Sequence, residues 1–342
     1  MLAACGSERG AITAGGRVAG DNLTIYTSVP DPASGPGRDM VDASKLAIAQ
    51  AGGRAGDFGI NFVAVDEGSP AHPDPRAVPA KAAEQAIRDA QVIAVVGGVR
   101  SDAAMTSLPL FNAAGVLLVS PGAGYAGFTA PIAPGEPERW YPSGRPTFAR
   151  VIGDDRMQAR ALVDAARGRI AVEAEPLAVG SALARAVRAE AGERLVDHPA
   201  RADTVIYAGA DAVTATAFAE AYARGRPTLV FPDELTRAGL VRRVSPAARR
   251  RSVFVSSAPE PGSSAELRSF EAAFESEFGR APDPYAVLAW RAMRRVLEAI
   301  EAAGRRANLR RVVVERYLAL PPPPERFTAF RVRGGERGYL SP

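Results

Sequence analysis

Val92-Ile93-Ala94-Val95-Val96-Gly97-Gly98-Val99-Arg100-Ser101 decides the fold. The apolar, mostly β-branched run from Val92 to Val96 is too short for a buried helix. It reads as a strand covered on both faces, the state of a parallel sheet flanked by helices. Two glycines end the run, and Ser101 begins a helix to Asn112. The same alternation continues on both sides. Upstream, strands are predicted over 23–27 and 60–65, with helices over 39–51 and 77–89. In the first helix Met40, Ala43, Leu46, Ala47 and Gln50 recur at three and four, and Gly52-Gly53 stops it.

Downstream comes a strand over 116–119, then a Pro/Gly-rich stretch over 131–145 with neither period. Alternation resumes with strands over 148–152, 170–172, 204–207, 228–231 and 253–256. Helices are predicted between them over 156–167, 182–191 and 212–224. The C-terminal part predicts helices over 264–278 and 284–303, a segment over 309–318 and a last strand over 327–332. Two α/β halves each need a sheet, so the expected architecture is two lobes with a cleft between them.

Composition agrees with a globular protein of about two domains: 342 residues, 47% hydrophobic and 23% charged. No apolar run approaches the roughly 20 residues of a bilayer crossing. A net charge of +4 is small for this length and argues against a dedicated nucleic-acid binder. Lys45 and Lys81 are the only lysines among 42 basic residues, and neither stands in a P-loop. Two histidines, His72 and His198, are too few for a zinc site or Ser-His-Asp machinery. Nothing here speaks for an enzymatic activity, a cofactor or a metal, and none is expected.

Met1-Leu2-Ala3-Ala4-Cys5-Gly6-Ser7 resembles the lipobox of bacterial lipoproteins, in which the cysteine thiol carries the lipid. Four residues precede Cys5 here, so the charged and apolar regions of a signal would lie upstream of them. The Gly/Ala-rich stretch to residue 20 then reads as a flexible tether, and the protein as an extracytoplasmic, membrane-anchored one. A lone cysteine excludes an intramolecular disulfide.

Gly122-Ala123-Gly124-Tyr125-Ala126-Gly127 matches a dinucleotide-binding spacing, but Pro121, Pro131, Pro134 and Pro137 deny it the helix such a site needs. The arginines at 242, 243 and 249–251 lack interleaved aromatics and read as a solvated face. The oxygen ligands over 66–74 lack a calcium-loop spacing. Phe270 and Trp290 read as core, and Tyr285 stands at a helix start where it can face a cleft.

In order and spacing, several segments resemble the leucine/isoleucine/valine-binding family of solute-binding proteins, the type I periplasmic receptors of amino-acid ABC transporters. They are the stretches 37–47 and 52–56, Val95-Val96-Gly97-Gly98, the Ser-Pro loop 120–129, 135–138 with 141–145 and 148–151, then 202–207 and Pro284-Tyr285-Ala286. The resemblance spans about residues 22–335. It implies a two-lobed fold with three crossovers: lobe one over 21–145 plus 260–308, lobe two over 146–259 plus 309–342, after a tether over 1–20. It implies a monomer that binds an amino acid of branched-chain type, or a related carboxylate, closes by hinge motion and docks on a permease. A ligand-sensing regulatory module on the same fold is the alternative.

Ligands of parallel sheets bind beyond the carboxyl ends of the strands. Ser101, expected to N-cap its helix, and the backbone N–H groups of Gly122, Ala123 and Gly124 are candidates for a carboxylate. Arg100, Tyr125 and Tyr285 stand beside them in sequence or in the resemblance. The stretch 231–235 resembles the family's acidic segment, which implies Asp233, with Glu234 as fallback, as the anion for an ammonium. Gly124 stands where many relatives carry threonine, and Val179 and Ala210 where tyrosine is frequent, so the side-chain specificity stays open.

Overall fold

The computed structural model describes residues 16–69, 74–175, 178–323, 326–333 and 336–340, with no side-chain description for 178 and 179. Cys5, His72 and the Val179 side chain lie outside the described residues.

The first sheet contains β1 (Asn22–Val29), β2 (Arg54–Ala55), β3 (Phe58–Asp66), β4 (Val92–Gly97), β5 (Leu117–Ser120) and β6 (Phe148–Arg150), in the order β2-β3-β1-β4-β5-β6. All its pairings are parallel except the short β2–β3 hairpin. Helices α1 (Gly35–Gln50), α2 (Ala77–Arg88) and α3 (Ser101–Ala113) connect these strands. The second lobe begins with α4 (Asp155–Asp164), β7 (Ile170–Ala174), α5 (Ala178–Ala191), β8 (Thr204–Ala208), α6 (Ala212–Ala221) and β9 (Thr228–Phe231). Three short helices follow, α7 (Asp233–Arg237), α8 (Leu240–Arg243) and α9 (Pro246–Arg251), then β10 (Ser252–Ser256). The chain returns to the first lobe with α10 (Ala265–Phe278), α11 (Ala286–Ala303) and α12 (Arg310–Leu318), and ends in the second with β11 (Thr328–Arg333) and β12 (Glu336–Leu340). The second sheet runs β12-β11-β10-β9-β8-β7, parallel except for the antiparallel β11 and β12.

The strands are apolar all along because both faces are covered. In β5, Leu117 and Val119 pack toward α1, α10, α11 and α12, while Leu118 packs toward α2 and α3. In β10, Val253 and Val255 face one layer and Phe254 the other. Alternation at period two thus builds two cores per sheet. No helix among the described residues is long and apolar enough to cross a membrane.

Two lobe boundaries differ from expectation. Residue 146 does not open the second lobe: β6 pairs in parallel with β5 and completes the first sheet. Residues 309–318 do not belong to the second lobe either. Val312, Val313 and Tyr317 of α12 are buried in the first lobe's core, and the buried Arg310 guanidinium donates to Val92 O at 2.9 Å and Ala114 O at 3.1 Å. The crossovers therefore fall near 151–155, 257–264 and 319–327.

Candidate functional site

The carboxyl ends of β4, β5, β9 and β10 meet between the lobes, and most of the predicted site residues meet there with them. Asp233 opens α7 directly after β9 and is 1% exposed. Its carboxylate accepts from Ser257 N (2.7 Å), Ser257 Oγ (2.9 Å), the Tyr285 hydroxyl (2.8 Å) and Arg237 Nη1 (3.1 Å). Its own N–H donates to Gln158 Oε1 of α4 at 2.7 Å. Four donors leave this carboxylate little capacity for a ligand's ammonium.

Arg237 reaches across the cleft from α7. A Cβ at Gly122 would stand 2.5 Å from Arg237 Nη1 and 2.5 Å from Val99 O, so only glycine allows this approach. The guanidinium lies 5.8 Å from the Tyr285 ring centroid. Burial works against its charge, but Asp233, then Glu234 and Tyr285, hold it protonated. Burial, reinforced by Asp233, pushes the Tyr285 hydroxyl well above its usual range.

Ser101 is not the N-cap of α3. Arg100 occupies that position without a side-chain cap, and Ser101 Oγ accepts instead from Tyr125 N at 3.2 Å. Two of the three N–H groups of the expected anion cradle, those of Gly122 and Ala123, are already engaged from within, as are the N–H groups of Val99 and Arg100. Val99 N and Arg100 N donate to Glu67 at 3.0 and 3.2 Å, and Gly122 N and Ala123 N donate to Ser120 Oγ at 3.1 and 2.8 Å. The fully buried Glu67 carboxyl is pushed up to about 7, by burial foremost and against the pull of Arg100. The Arg100 guanidinium donates to Asp102 at 2.9 Å and to Gly68 O. The Tyr125 ring belongs to an aromatic cluster with Phe128 and Trp140, and its hydroxyl donates to Glu136 at 2.8 Å.

Sequence reasoning missed Asp155, Gln158, Glu67 and Arg237. Asp155 begins α4 just past a parallel strand, the same placement that singled out Asp233, so the same rule finds it. Its N–H donates to Gly124 O at 2.8 Å. Its buried carboxylate is approached by the Ala126 N–H and the Arg150 guanidinium, while Glu234 Oε2 is buried without a hydrogen-bond partner among the described residues. Glu234 Oε1 accepts only a long contact, 3.4 Å, from Gln158 Nε2. Burial and then Glu234 push the Asp155 carboxyl well above its usual range, against the Arg150 guanidinium and the Ala126 N–H. Burial and Asp233 raise Glu234.

A cavity of about 570 Å³ opens between the lobes beside this cluster, lined by Ser34, Arg38 and Asp39 of the first lobe, Arg242 of the second, and Arg280 and Asp283 before α11. Its size suits a small solute. Ser101, Gly122 and Asp233 do not line it; Asp283 connects it to Tyr285, donating no side chain but accepting Tyr285 N at 3.0 Å. No group of acidic, histidine or cysteine side chains among the described residues is arranged to hold a metal ion.

The sequence profile of the family described as periplasmic binding protein matches residues 27–195. Over that stretch the sequence is similar to that family. Solved structures agree. A Desulfitobacterium hafniense ABC transporter substrate-binding protein in complex with Leu superposes with a TM-score of 0.75 at 15% identity, over 93% of this chain and 100% of that one. The Streptococcus pneumoniae branched-chain amino acid transporter substrate binding protein LivJ, in complex with isoleucine, gives 0.71 at 16% identity, over 94% and 100%. An R. palustris solute-binding protein in complex with benzoate gives 0.68 at 20%, over 93% and 95%. At these identities the likeness is one of fold. No curated protein matches the sequence significantly. In this periplasmic binding-protein fold, the cluster around Asp233 lies where the two lobes close on each other.

Proposed function

We propose that this protein is a solute receptor of an ABC importer, taking a small molecule between its lobes and closing over it by hinge motion. The observation that carries this reading is the interlobe position of buried charged groups, Asp155, Asp233, Glu234 and Arg237, at the carboxyl ends of both sheets. Charged groups are buried at a hinged interface when they have something to recognise, and a similar fold holds Leu, isoleucine or benzoate in the relatives named above. In this reading the receptor works outside the cytoplasm as a monomer, binds rather than turns over its solute, and delivers it to permease subunits in the membrane. A lipid on Cys5 would tether it, which fractionation of a Cys5→Ala protein expressed with its upstream signal tests.

The test of the receptor reading is thermal shift combined with small-angle scattering on refolded protein, which strips any retained solute. A solute at a thousand times its Kd stabilises by about 4.1 kcal/mol and should reduce the radius of gyration. Scattering curves that stay identical at saturation would refute hinge closure.

A further inference from the structure

A second cavity, of about 330 Å³, opens at the hinge itself. Two of the three crossovers supply walls to it. Arg150, the last residue of β6, and Asp154, the N-cap of α4, bracket the first crossover, while Leu320, Pro322 and Pro323 belong to the third. The two crossovers touch beside the cavity: a Cβ at Gly153 would stand 2.8 Å from Phe327 Cε2 and 3.1 Å from Met157 Sδ. Arg295 of α11, with Tyr317 and Leu318 at the end of α12, closes the cavity from the first lobe.

The charge left open in this cavity is positive. The carboxylate that lines it, Asp154, is committed elsewhere: it caps α4 by accepting Arg156 N at 2.9 Å and Met157 N at 3.3 Å, and it accepts Arg156 Nη2 at 2.6 Å. Arg150 is buried and holds the turn before the crossover, donating to Gly124 O, Tyr125 O and Thr129 Oγ1. Arg295 is placed differently. Its Nη2 donates to the carbonyl of Pro321 at 2.6 Å, and its guanidinium stands 5.5 Å from the Tyr317 ring centroid and beside that hydroxyl. Among the described residues no carboxylate pairs with it. The rest of the lining is apolar, and Leu318 is 46% exposed, a large side chain that an occupant would cover.

We propose that the hinge cavity is a second binding site, separate from the cleft, for a small carboxylate with an apolar body, and that its occupant favours closure. A guanidinium is the cation best shaped for a carboxylate, and the volume stands at the small end of ligand pockets. The coupling to closure rests on the receptor reading. The cavity exists in the arrangement in which the Tyr285 hydroxyl bonds Asp233 across the lobes, the closed one. Two of its walls ride on crossovers, whose dihedral angles change when the lobes part. Opening therefore redraws the cavity, and a molecule that fits it closed shifts the equilibrium toward closure. By linkage it tightens solute binding in the cleft by the same factor that the solute tightens its own.

Calorimetry and small-angle scattering on refolded protein test this with benzoate and cyclohexanecarboxylate, against benzamide, which keeps the ring without the charge, and benzylamine, which reverses it. Both carboxylates should bind, and the amide and the amine at least tenfold more weakly. Arg295→Met keeps the side-chain stem without the guanidinium, and Leu318→Gln changes an exposed position that the fold tolerates. Each should weaken the carboxylates at least tenfold. At saturation the carboxylates should reduce the radius of gyration of the parent. Carboxylates that bind both variants as tightly as the parent sit elsewhere in the protein and overturn the inference. So do benzamide binding as tight as that of benzoate, a radius of gyration that does not fall, and a failure of both carboxylates to bind. The receptor reading stands through all of these and falls on a different result, that no solute bound in the cleft compacts the protein.

Discussion

The Tyr285 hydroxyl, on a first-lobe helix start, donates to Asp233 Oδ1 of the second lobe at 2.8 Å. One buried carboxylate thereby joins the lobes and, through Arg237, fixes the cation that rests against Gly122.

Tyr285→Phe removes that bond and leaves the ring in place. A hydrogen bond to a charged group contributes about 1.5–3 kcal/mol, so chemical denaturation should show a loss of this size. Scattering from ligand-free protein should show a larger radius of gyration, because the contact removed is one between lobes.

Asp233→Asn leaves the Arg237 guanidinium buried without its counter-charge. Breaking a buried pair on one side costs about 3–5 kcal/mol. The double variant Asp233→Asn/Arg237→Met should recover much of that loss, and a double-mutant cycle on the two positions measures the coupling. Additive losses would show that the pair does not act as a unit.

Gly122→Ala should destabilise the closed arrangement by about 1–3 kcal/mol, since the Arg237 side chain can swing aside but Val99 O, 2.5 Å from the new Cβ, belongs to the backbone. Solute affinity should fall with it, read by calorimetry at fixed temperature.

Stability should fall as pH rises from 5 to 8. Glu67 is raised from 4.5 to about 7 by burial, so its contribution is complete below pH 4.5 and is lost as the pH climbs through 7. The raised carboxyls of Asp155 and Glu234 act in the same direction. Asp154 and Asp211, which are lowered, lose their contributions only in acid, below their usual value of 3.8. Glu67 alone is worth about 2–4 kcal/mol at 1.36 kcal/mol per pH unit. Glu67→Gln should flatten the slope of melting temperature against pH, and an unchanged slope would assign it elsewhere.

Local sequence carried the strands well. The apolar run at Val92–Val96 and its counterparts lie within β4, β8, β9 and β10, and one is offset by a residue from β5, because complete burial leaves one composition available to them. The helices of ten residues or more were legible by period. Helices α7, α8 and α9, each of four to six residues, complete too few turns to show one, and β2 is two residues long. Lobe membership of α12 was hidden because Val312 and Val313 are equally apolar whichever core receives them. In the site, Asp233 and Tyr285 stood out by position after a strand and before a helix. Their bond to each other did not, nor did the contact of Arg237 with Gly122, since nothing local encodes a pairing across the cleft. The engaged cradle was illegible for the same reason: Glu67 lies 32 residues from the Val99 N–H it accepts.

The first lobe's earliest helix, α1, is held by residues from the far end of the chain: Asp39 accepts Arg280 Nη2 at 2.6 Å across a separation of 241 residues. Before the C-terminal helices arrive, α1 covers its face of the first sheet without α10, α11 and α12. Closing so long a loop costs about 5 kcal/mol of chain entropy by the (3/2)RT ln n relation. The second lobe is nearly contiguous between α4 and β10, so its folding brings the two ends of that loop together and shortens the search. Neither lobe is a finished unit of synthesis: the first waits for α10 to α12, and the second waits longer still, for the C-terminal β11 and β12 that complete its sheet.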